Sequence, residues 1–163
     1  MGLRAKRDAP KTLYFDLDGT IVHADFGSVK PKLADGQLED AIRAAGFVRL
    51  VCVANVCTIV SSLVALGREV DGHDMIFQLC QGAFRDQRWF RSSTMLIPDG
   101  SRRAHVIDFG GDWFWVDDCA ASYLRRAGLA HHVDEHRGGR LLIPEPTGDG
   151  ADIIAWLENI RMS

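Results

Sequence analysis

The stretch Leu13-Tyr14-Phe15-Asp16-Leu17-Asp18-Gly19-Thr20 decides how this sequence is interpreted. Its apolar start predicts a buried β-strand over residues 11–15, because a short continuous apolar run is typical of a strand covered on both faces. Asp16 and Asp18, two residues apart, leave that strand on the same face. The Gly-Thr pair lets the backbone turn and present amide N–H groups beside the two acids. This combination suits a divalent cation and a phosphoryl group, whereas the alternative is a solvated Asp-Gly turn.

Length and composition favour an ordinary globular protein of one domain. The chain has 163 residues, of which 1–10 are expected to form a polar tail and 11–163 the core. A formal net charge of −3 gives no electrostatic reason to expect a nucleic-acid partner. No apolar run is long enough for a secretory signal or a membrane span, which predicts a cytoplasmic protein without a membrane partner. The four cysteines form no C-x-x-C pair, and they are expected to be reduced, mostly buried thiols.

Predicted strands and helices alternate along the chain. Residues 81–94 give no clear pattern. The other predicted elements are a strand at 11–15, a loop or hairpin at 21–36, a helix at 37–45, a strand at 50–53, a helix at 56–66, a strand at 75–79, a short helix that Ser101 caps, a strand at 113–116, a helix at 120–127, strands near His132 and Leu141, and a helix at 150–160. This alternation predicts an α/β fold with a doubly wound (Rossmann-like), mostly parallel sheet flanked by helices.

A second acidic pair, Asp117-Asp118, follows the apolar strand predicted at 113–116. In an open parallel sheet, ligands bind at the carboxyl ends of the strands, so this pair is expected to meet Asp16 and Asp18. Four acids at one edge would repel each other unless a cation lay between them. The alternative is that the second pair only caps the following helix.

Both acidic motifs resemble those of the haloacid dehalogenase (HAD) superfamily. The first resembles motif I of that family, Asp-x-Asp-Gly-Thr, and the second resembles motif IV in its Asp-Asp form. The resemblance implies a Mg²⁺ ion held by the Asp16 carboxylate, the main-chain carbonyl of Asp18 and a motif IV acid. We favour Asp118 as the direct ligand, with Asp117 acting through water or an amide.

The two middle motifs of the family are imperfect here. Motif II places a Ser or Thr at the end of the second core strand, often followed by Asn, whereas this chain has Ala54-Asn55 and lacks the hydroxyl. Motif III is a Lys or Arg before motif IV, for which Arg102 and Arg103 are equal candidates. Each of the two could instead be an exposed helical arginine. The predicted phosphate-binding residues are Gly19, Thr20, Ala54 and Asn55.

The resemblance therefore implies a Mg²⁺-dependent phosphatase acting on a phosphate monoester. Asp16 would attack phosphorus to form an aspartyl-phosphate, Asp18 would act as general acid and base, and one arginine would neutralise charge. The alternative is a catalytically weak or inactive HAD-fold module that binds phosphate or a protein partner. The spacing of the motifs leaves no room for a large cap domain. The phosphorylated substrate could thus be a phosphoprotein, a nucleic-acid end or a small ester. A neighbouring subunit could cover the site in place of a cap.

One cluster of histidines and one pair of tryptophans each have two possible interpretations. His131, His132 and His136 would suit a metal on a helix, but the residues around them favour strand and loop. Trp113 and Trp115 lie two apart on one predicted strand, which favours packing between sheet and helix over a substrate platform. Neither pattern is assigned a catalytic role.

Overall fold

The computed structural model describes residues 9–23, 30–33, 35–80 and 82–163. The strands, numbered along the chain, are β1 Thr12–Phe15, β2 Val22–His23, β3 Lys30–Pro31, β4 Arg49–Cys52, β5 Thr94–Leu96, β6 Trp113–Val116 and β7 Leu141–Leu142. The helices are α1 Gln37–Ala44, α2 Val56–Ala65, α3 Gly72–Leu79, α4 Gln87–Ser93, α5 Arg103–Val106, α6 Ala120–Arg126, α7 His131–His136 and α8 Ala151–Met162, with a 3₁₀ turn at Gly100–Arg102.

Five strands form one sheet of order β5-β4-β1-β6-β7, and every neighbouring pair is parallel. Strand β1 lies in the middle, and all four of its residues are buried. Parallel neighbours require crossover connections, which the helices supply. The predicted α/β fold with a Rossmann-like, mostly parallel sheet is therefore confirmed.

An apolar core lies on each face of this sheet. Leu13 and Phe15 of β1 belong to one cluster, which includes residues of α1 and α8, and Tyr14 belongs to the other. This division follows from the alternation of side chains along a strand. Trp113 and Trp115 are buried in the second cluster, so their predicted packing role is confirmed.

The strand predicted at 75–79 is wrong, because these residues belong to α3. The Asp71 carboxylate accepts a hydrogen bond from the Asp74 amide and so caps the helix. Ile76 is fully buried in the core, and a strand at this place would have buried it equally well. A short apolar run does not distinguish a buried strand from a buried helix turn. The strand that completes this edge of the sheet is β5, which begins at Thr94, the last residue of the stretch without a clear pattern.

Two further local predictions are wrong. The strand predicted near His132 is helix α7. Ser101 does not cap the next helix but lies inside the 3₁₀ turn, which Asp99 caps by accepting from the Ser101 amide. The remaining predicted strands and helices are confirmed to within a few residues of their ends.

The segment predicted as a loop or hairpin between β1 and α1 contains the antiparallel pair of β2 and β3. Residues 24–29 and 34 of that segment, and most of the predicted tail 1–10, lie outside the described residues. In the described ranges, no helix combines the length and the apolar character needed to cross a bilayer.

Candidate active site

The register of the three central strands brings the predicted site residues to one edge. Phe15 at the end of β1 is level with Cys52 of β4 and with Val116 of β6. The Asp16 amide donates to the Val116 carbonyl at 3.2 Å, which holds the chain after β1 against β6. The residues that follow these strands therefore leave the sheet side by side at its carboxyl edge.

Arg103, a buried residue at the start of α5, links the ends of these strands. Its Nη1 lies 3.0 Å from Asp16 Oδ1 and 2.8 Å from Asp117 Oδ2. Its Nη2 donates to Asn55 Oδ1 at 2.9 Å, and its Nε donates to the Gly100 carbonyl at 2.8 Å. The guanidinium thus joins three predicted site residues from three strand ends.

Arg102, the other candidate for the motif III cation, has a different environment. It is exposed in the 3₁₀ turn and does not line the cavity that contains the acids. Arg103 is only 2% exposed and contacts two of the acids directly. The structure therefore separates two residues that sequence alone left equal.

The two acids after β6 also differ from each other. Asp117 is fully buried, with Oδ2 on Arg103 and Oδ1 accepting from the Cys119 amide at 2.8 Å. Asp118 is half-buried and lines the cavity. Thr20 Oγ1 donates to Asp118 Oδ1 at 3.3 Å and accepts from the Asp118 amide at 3.1 Å. Asp118 is accordingly the carboxylate of this pair that faces the cavity, while Asp117 is held on Arg103.

The turn after Asp18 is used differently from the sequence prediction. The Gly19 amide donates to the Val22 carbonyl at 2.9 Å, and the Thr20 amide donates to the Leu17 carbonyl at 3.0 Å. These two amides therefore close the turn instead of being presented to a phosphate. Gly19 is required for another reason: its φ is +75°, and a Cβ there would lie 2.3 Å from Asp118 Oδ2.

Buried acids dominate the electrostatics of the site. Burial and the neighbouring Asp117 carboxylate raise the pKa of Asp16 to about 8, against the opposing effect of Arg103. Burial also raises the pKa of Asp117. One arginine thus does not balance the acids gathered here.

The donor set fits Mg²⁺, which prefers oxygen ligands. The Asp16 and Asp118 carboxylates both line the cavity, beside Asp18. Carboxylate oxygens of Asp117 and Asp118 and the Cys119 sulfur lie within 4.8 Å of one another, whereas Asp16 is outside that group. The carboxylates that line the cavity and could contribute oxygen ligands are therefore those of Asp16, Asp18 and Asp118.

A cavity of about 490 Å³ opens at this edge. The predicted site residues that line it are Asp16, Asp18, Ala54, Asn55, Arg103 and Asp118. Gly19, Thr20, Arg102 and Asp117 were also predicted but are not among its lining residues. Gly19, Thr20 and Asp117 are buried beneath the wall of the cavity, whereas Arg102 is exposed in the 3₁₀ turn.

Sequence reasoning missed two residues that hold the site together. The Tyr123 ring stacks on the Arg103 guanidinium, 4.1 Å from ring centre to Cζ, and also lines the cavity. Lys32 is buried, and its Nζ donates to the carbonyls of Gly19 at 2.8 Å and Glu145 at 2.6 Å. Burial lowers the pKa of Lys32. Neither contact has a local sequence signal, since each joins residues far apart in the chain.

The histidine cluster lies on a helix after all. Ring nitrogens of His132 and His136 and a carboxylate oxygen of Glu135 lie within 4.8 Å of one another. The His132 ring stacks on Phe109 with centroids 4.1 Å apart, and the His136 ring packs edge-on against Trp113. This aromatic packing accounts for the positions of the two rings without an ion.

No protein-family model matches this chain, and neither a curated protein nor a solved structure matches it.

Proposed function

We propose that this protein is a Mg²⁺-dependent phosphohydrolase of the HAD type that acts on a phosphate monoester. The observation that supports the proposal best is the linkage of Asp16, Asn55 and Asp117 through Arg103 at the carboxyl edge of the sheet. Nucleophile, neutralising cation and supporting acid are the parts that phosphoryl transfer through a carboxylate requires.

Asp16 is the proposed nucleophile. One of its oxygens attacks phosphorus, the bond from phosphorus to the ester oxygen breaks, and an aspartyl-phosphate forms. Attack requires the ionised carboxylate, which the Arg103 guanidinium at 3.0 Å favours. Asp16, Asp118 and the main-chain carbonyl of Asp18 would hold Mg²⁺, which when bound neutralises charge on the phosphoryl oxygens.

Asp18 is the proposed general acid and base. It is exposed and lines the cavity, so it can reach both the leaving group and water. In the first step its proton passes to the leaving alkoxide. In the second step it accepts a proton from the water that attacks the aspartyl-phosphate, which releases phosphate and restores Asp16.

Asn55 is the proposed neutral donor to the phosphoryl group. Its Oδ1 accepts from Arg103, which leaves its Nδ2 group to donate into the cavity. The amides of Gly19 and Thr20 are already used within the turn, and Ala54 has no hydroxyl. The side-chain amide of Asn55 therefore takes on more of the binding than the family pattern assigns to it.

The test is turnover of para-nitrophenyl phosphate with Mg²⁺ and with EDTA. We expect Mg²⁺-dependent release of phosphate, with the rate of Asp16→Asn at the assay floor. Asp134→Asn is a matched control, because Asp134 is an exposed aspartate on α7 that does not line the cavity. Activity of purified Asp16→Asn equal to that of wild type would reject the covalent mechanism.

The alternative proposal, a binding module with little or no turnover, also has a specific observation in its favour. The hydroxyl is missing at Ala54, and the Gly19 and Thr20 amides are engaged within the protein. Calorimetry with inorganic phosphate and Mg²⁺ separates the two proposals. Phosphate binding by a protein that hydrolyses no ester would favour the module.

A further inference from the structure

We infer that the cavity binds the alcohol part of its substrate on an apolar wall, and that the substrate is a phosphate monoester of a small apolar alcohol. This inference rests on the proposed phosphohydrolase function. It selects one substrate class among those that the sequence left open.

The wall is formed by residues of three elements beside the acids. Val22 of β2, Val56 and Ile59 of α2 and Leu79 of α3 line the same cavity as Asp16 and Asp18. The cavity volume of about 490 Å³ falls within the range of small-molecule sites, roughly 300–1,000 Å³, and exceeds what a phosphoryl group fills. Space for a leaving group is therefore bordered by apolar side chains.

Ile59 is a largely exposed residue of the apolar wall. Helix α2 is strongly apolar, yet only Cys57 and Val60 are buried among its residues. Ile59 is 58% exposed while it lines the cavity. An exposed large apolar side chain beside a polar site is typical of a binding surface, because a ligand that covers it removes apolar area from water.

The charges of the cavity oppose a polyanionic substrate. Arg103 is the only cation among the described residues that line it, and Asp16 and Asp117 already pair with that cation. Asp18 and Asp118 add negative charge at the same place. A nucleic-acid strand would bring further phosphates, for which the described lining of the cavity offers no second cation, whereas an apolar alcohol brings no charge.

The experiment compares kcat/KM for benzyl phosphate and for 2-hydroxyethyl phosphate, with Mg²⁺. Both are esters of alkyl alcohols, so the comparison reports the fit of the alcohol more than the reactivity of the ester. We expect wild type to prefer benzyl phosphate by at least about tenfold, since even one extra methylene in an apolar pocket is worth roughly that factor.

The variant Ile59→Asn should lose most of this preference by slowing benzyl phosphate alone. Val64→Asn is the matched control, because Val64 lies on the same helix, is 53% exposed and does not line the cavity. Both positions are exposed, so both variants are expected to fold. The preference in Val64→Asn should equal that of wild type.

The outcomes separate this inference from the proposed function. Hydrolysis of both esters at similar rates, or the same preference in Ile59→Asn and Val64→Asn, would overturn the inference and leave the phosphohydrolase in place. Faster turnover of a 5′-phosphorylated oligonucleotide or a phosphoserine peptide than of benzyl phosphate would do the same. No turnover of any ester would overturn the proposed function and this inference with it.

Discussion

Arg103 is the residue on which the proposed site depends most. Its guanidinium is the shared partner of two buried acids, so Arg103→Ala leaves Asp16 and Asp117 without a cation. Removing one partner from a buried charge network typically costs about 3–5 kcal/mol. We expect a loss of that order in the free energy of unfolding, measured with urea at neutral pH. Arg102→Ala is the control, and an equal loss there would contradict the assignment.

Replacing each of the two acids after β6 by alanine should affect different properties, Mg²⁺ affinity in one case and stability in the other. Asp118 faces the cavity, so Asp118→Ala should weaken Mg²⁺ binding more than Asp117→Ala does. Asp117 is held by Arg103 and the Cys119 amide, so Asp117→Ala should cost more stability. Magnesium titrations of activity and thermal melts of both variants measure the two effects. A larger loss of Mg²⁺ affinity in Asp117→Ala would reverse the assignment of the ligand.

Ala54 is where this chain departs from the family pattern that it resembles. Ala54 lines the cavity, and a serine there adds a hydroxyl able to donate to a charged phosphoryl oxygen. Hydrogen bonds to charged groups are worth roughly 1.5–3 kcal/mol, so Ala54→Ser should raise kcat/KM on para-nitrophenyl phosphate at least several-fold. A folded Ala54→Ser variant that is no faster than wild type would contradict the proposed role of position 54 in holding phosphate.

Sequence predicts single site residues well only when they follow directly from a recognisable strand. Asp16 directly follows β1 and Asp118 is the second residue after β6, so their meeting at one edge of the sheet could be expected. The choice of Arg103 over Arg102 could not, because it depends on which of two neighbours points inward from a short turn. Tyr123 and Lys32 were missed because their partners are distant along the chain.

At the scale of elements, prediction succeeded for the buried apolar strands at the centre of the sheet and failed for two short helices. Strands β1, β4 and β6 are buried in the sheet and have the apolar character that predicts this. Helices α3 and α7 were predicted as strands. Helix α3 begins with a cap, in which the Asp71 carboxylate accepts from the Asp74 amide, and the pattern of hydrophobic residues does not predict such a contact.

Lys32 connects three elements around the proposed nucleophile. It follows β3, and its Nζ binds the carbonyl of Gly19 in the turn after β1 and that of Glu145 after β7. Lys32→Met leaves both carbonyls without this donor, so we expect slower Mg²⁺-dependent turnover. Lys11→Met is the control, because Lys11 Nζ also binds a main-chain carbonyl, that of Ala45, but Lys11 precedes β1 and so lies at the opposite end of that strand from Asp16. Equal turnover of the two variants would mean that Lys32 does not support the site.

For the whole molecule, the buried acids predict how stability depends on pH. The pKa of Asp16 is raised from 3.8 to about 8 by burial and by Asp117. A group whose pKa is raised on folding contributes stability below its unfolded value and loses that contribution as the pH rises through its folded value. Without metal, wild type should therefore lose stability between about pH 4 and pH 8.

Asp16→Asn should remove the part of this pH dependence that comes from Asp16, because the amide does not ionise, whereas Asp117, whose pKa burial also raises, keeps its own part. In EDTA, the difference in melting temperature between Asp16→Asn and wild type should grow from pH 5 to pH 8, in favour of the variant. Linkage puts the corresponding free energy on the order of a few kcal/mol. Mg²⁺ should reduce the difference at pH 8, since a cation beside Asp16 stabilises its carboxylate and binds the folded state. If the melting temperatures of the two proteins in EDTA changed in parallel with pH, Asp16 would already be ionised without a metal ion. The Arg103 guanidinium alone would then balance its charge.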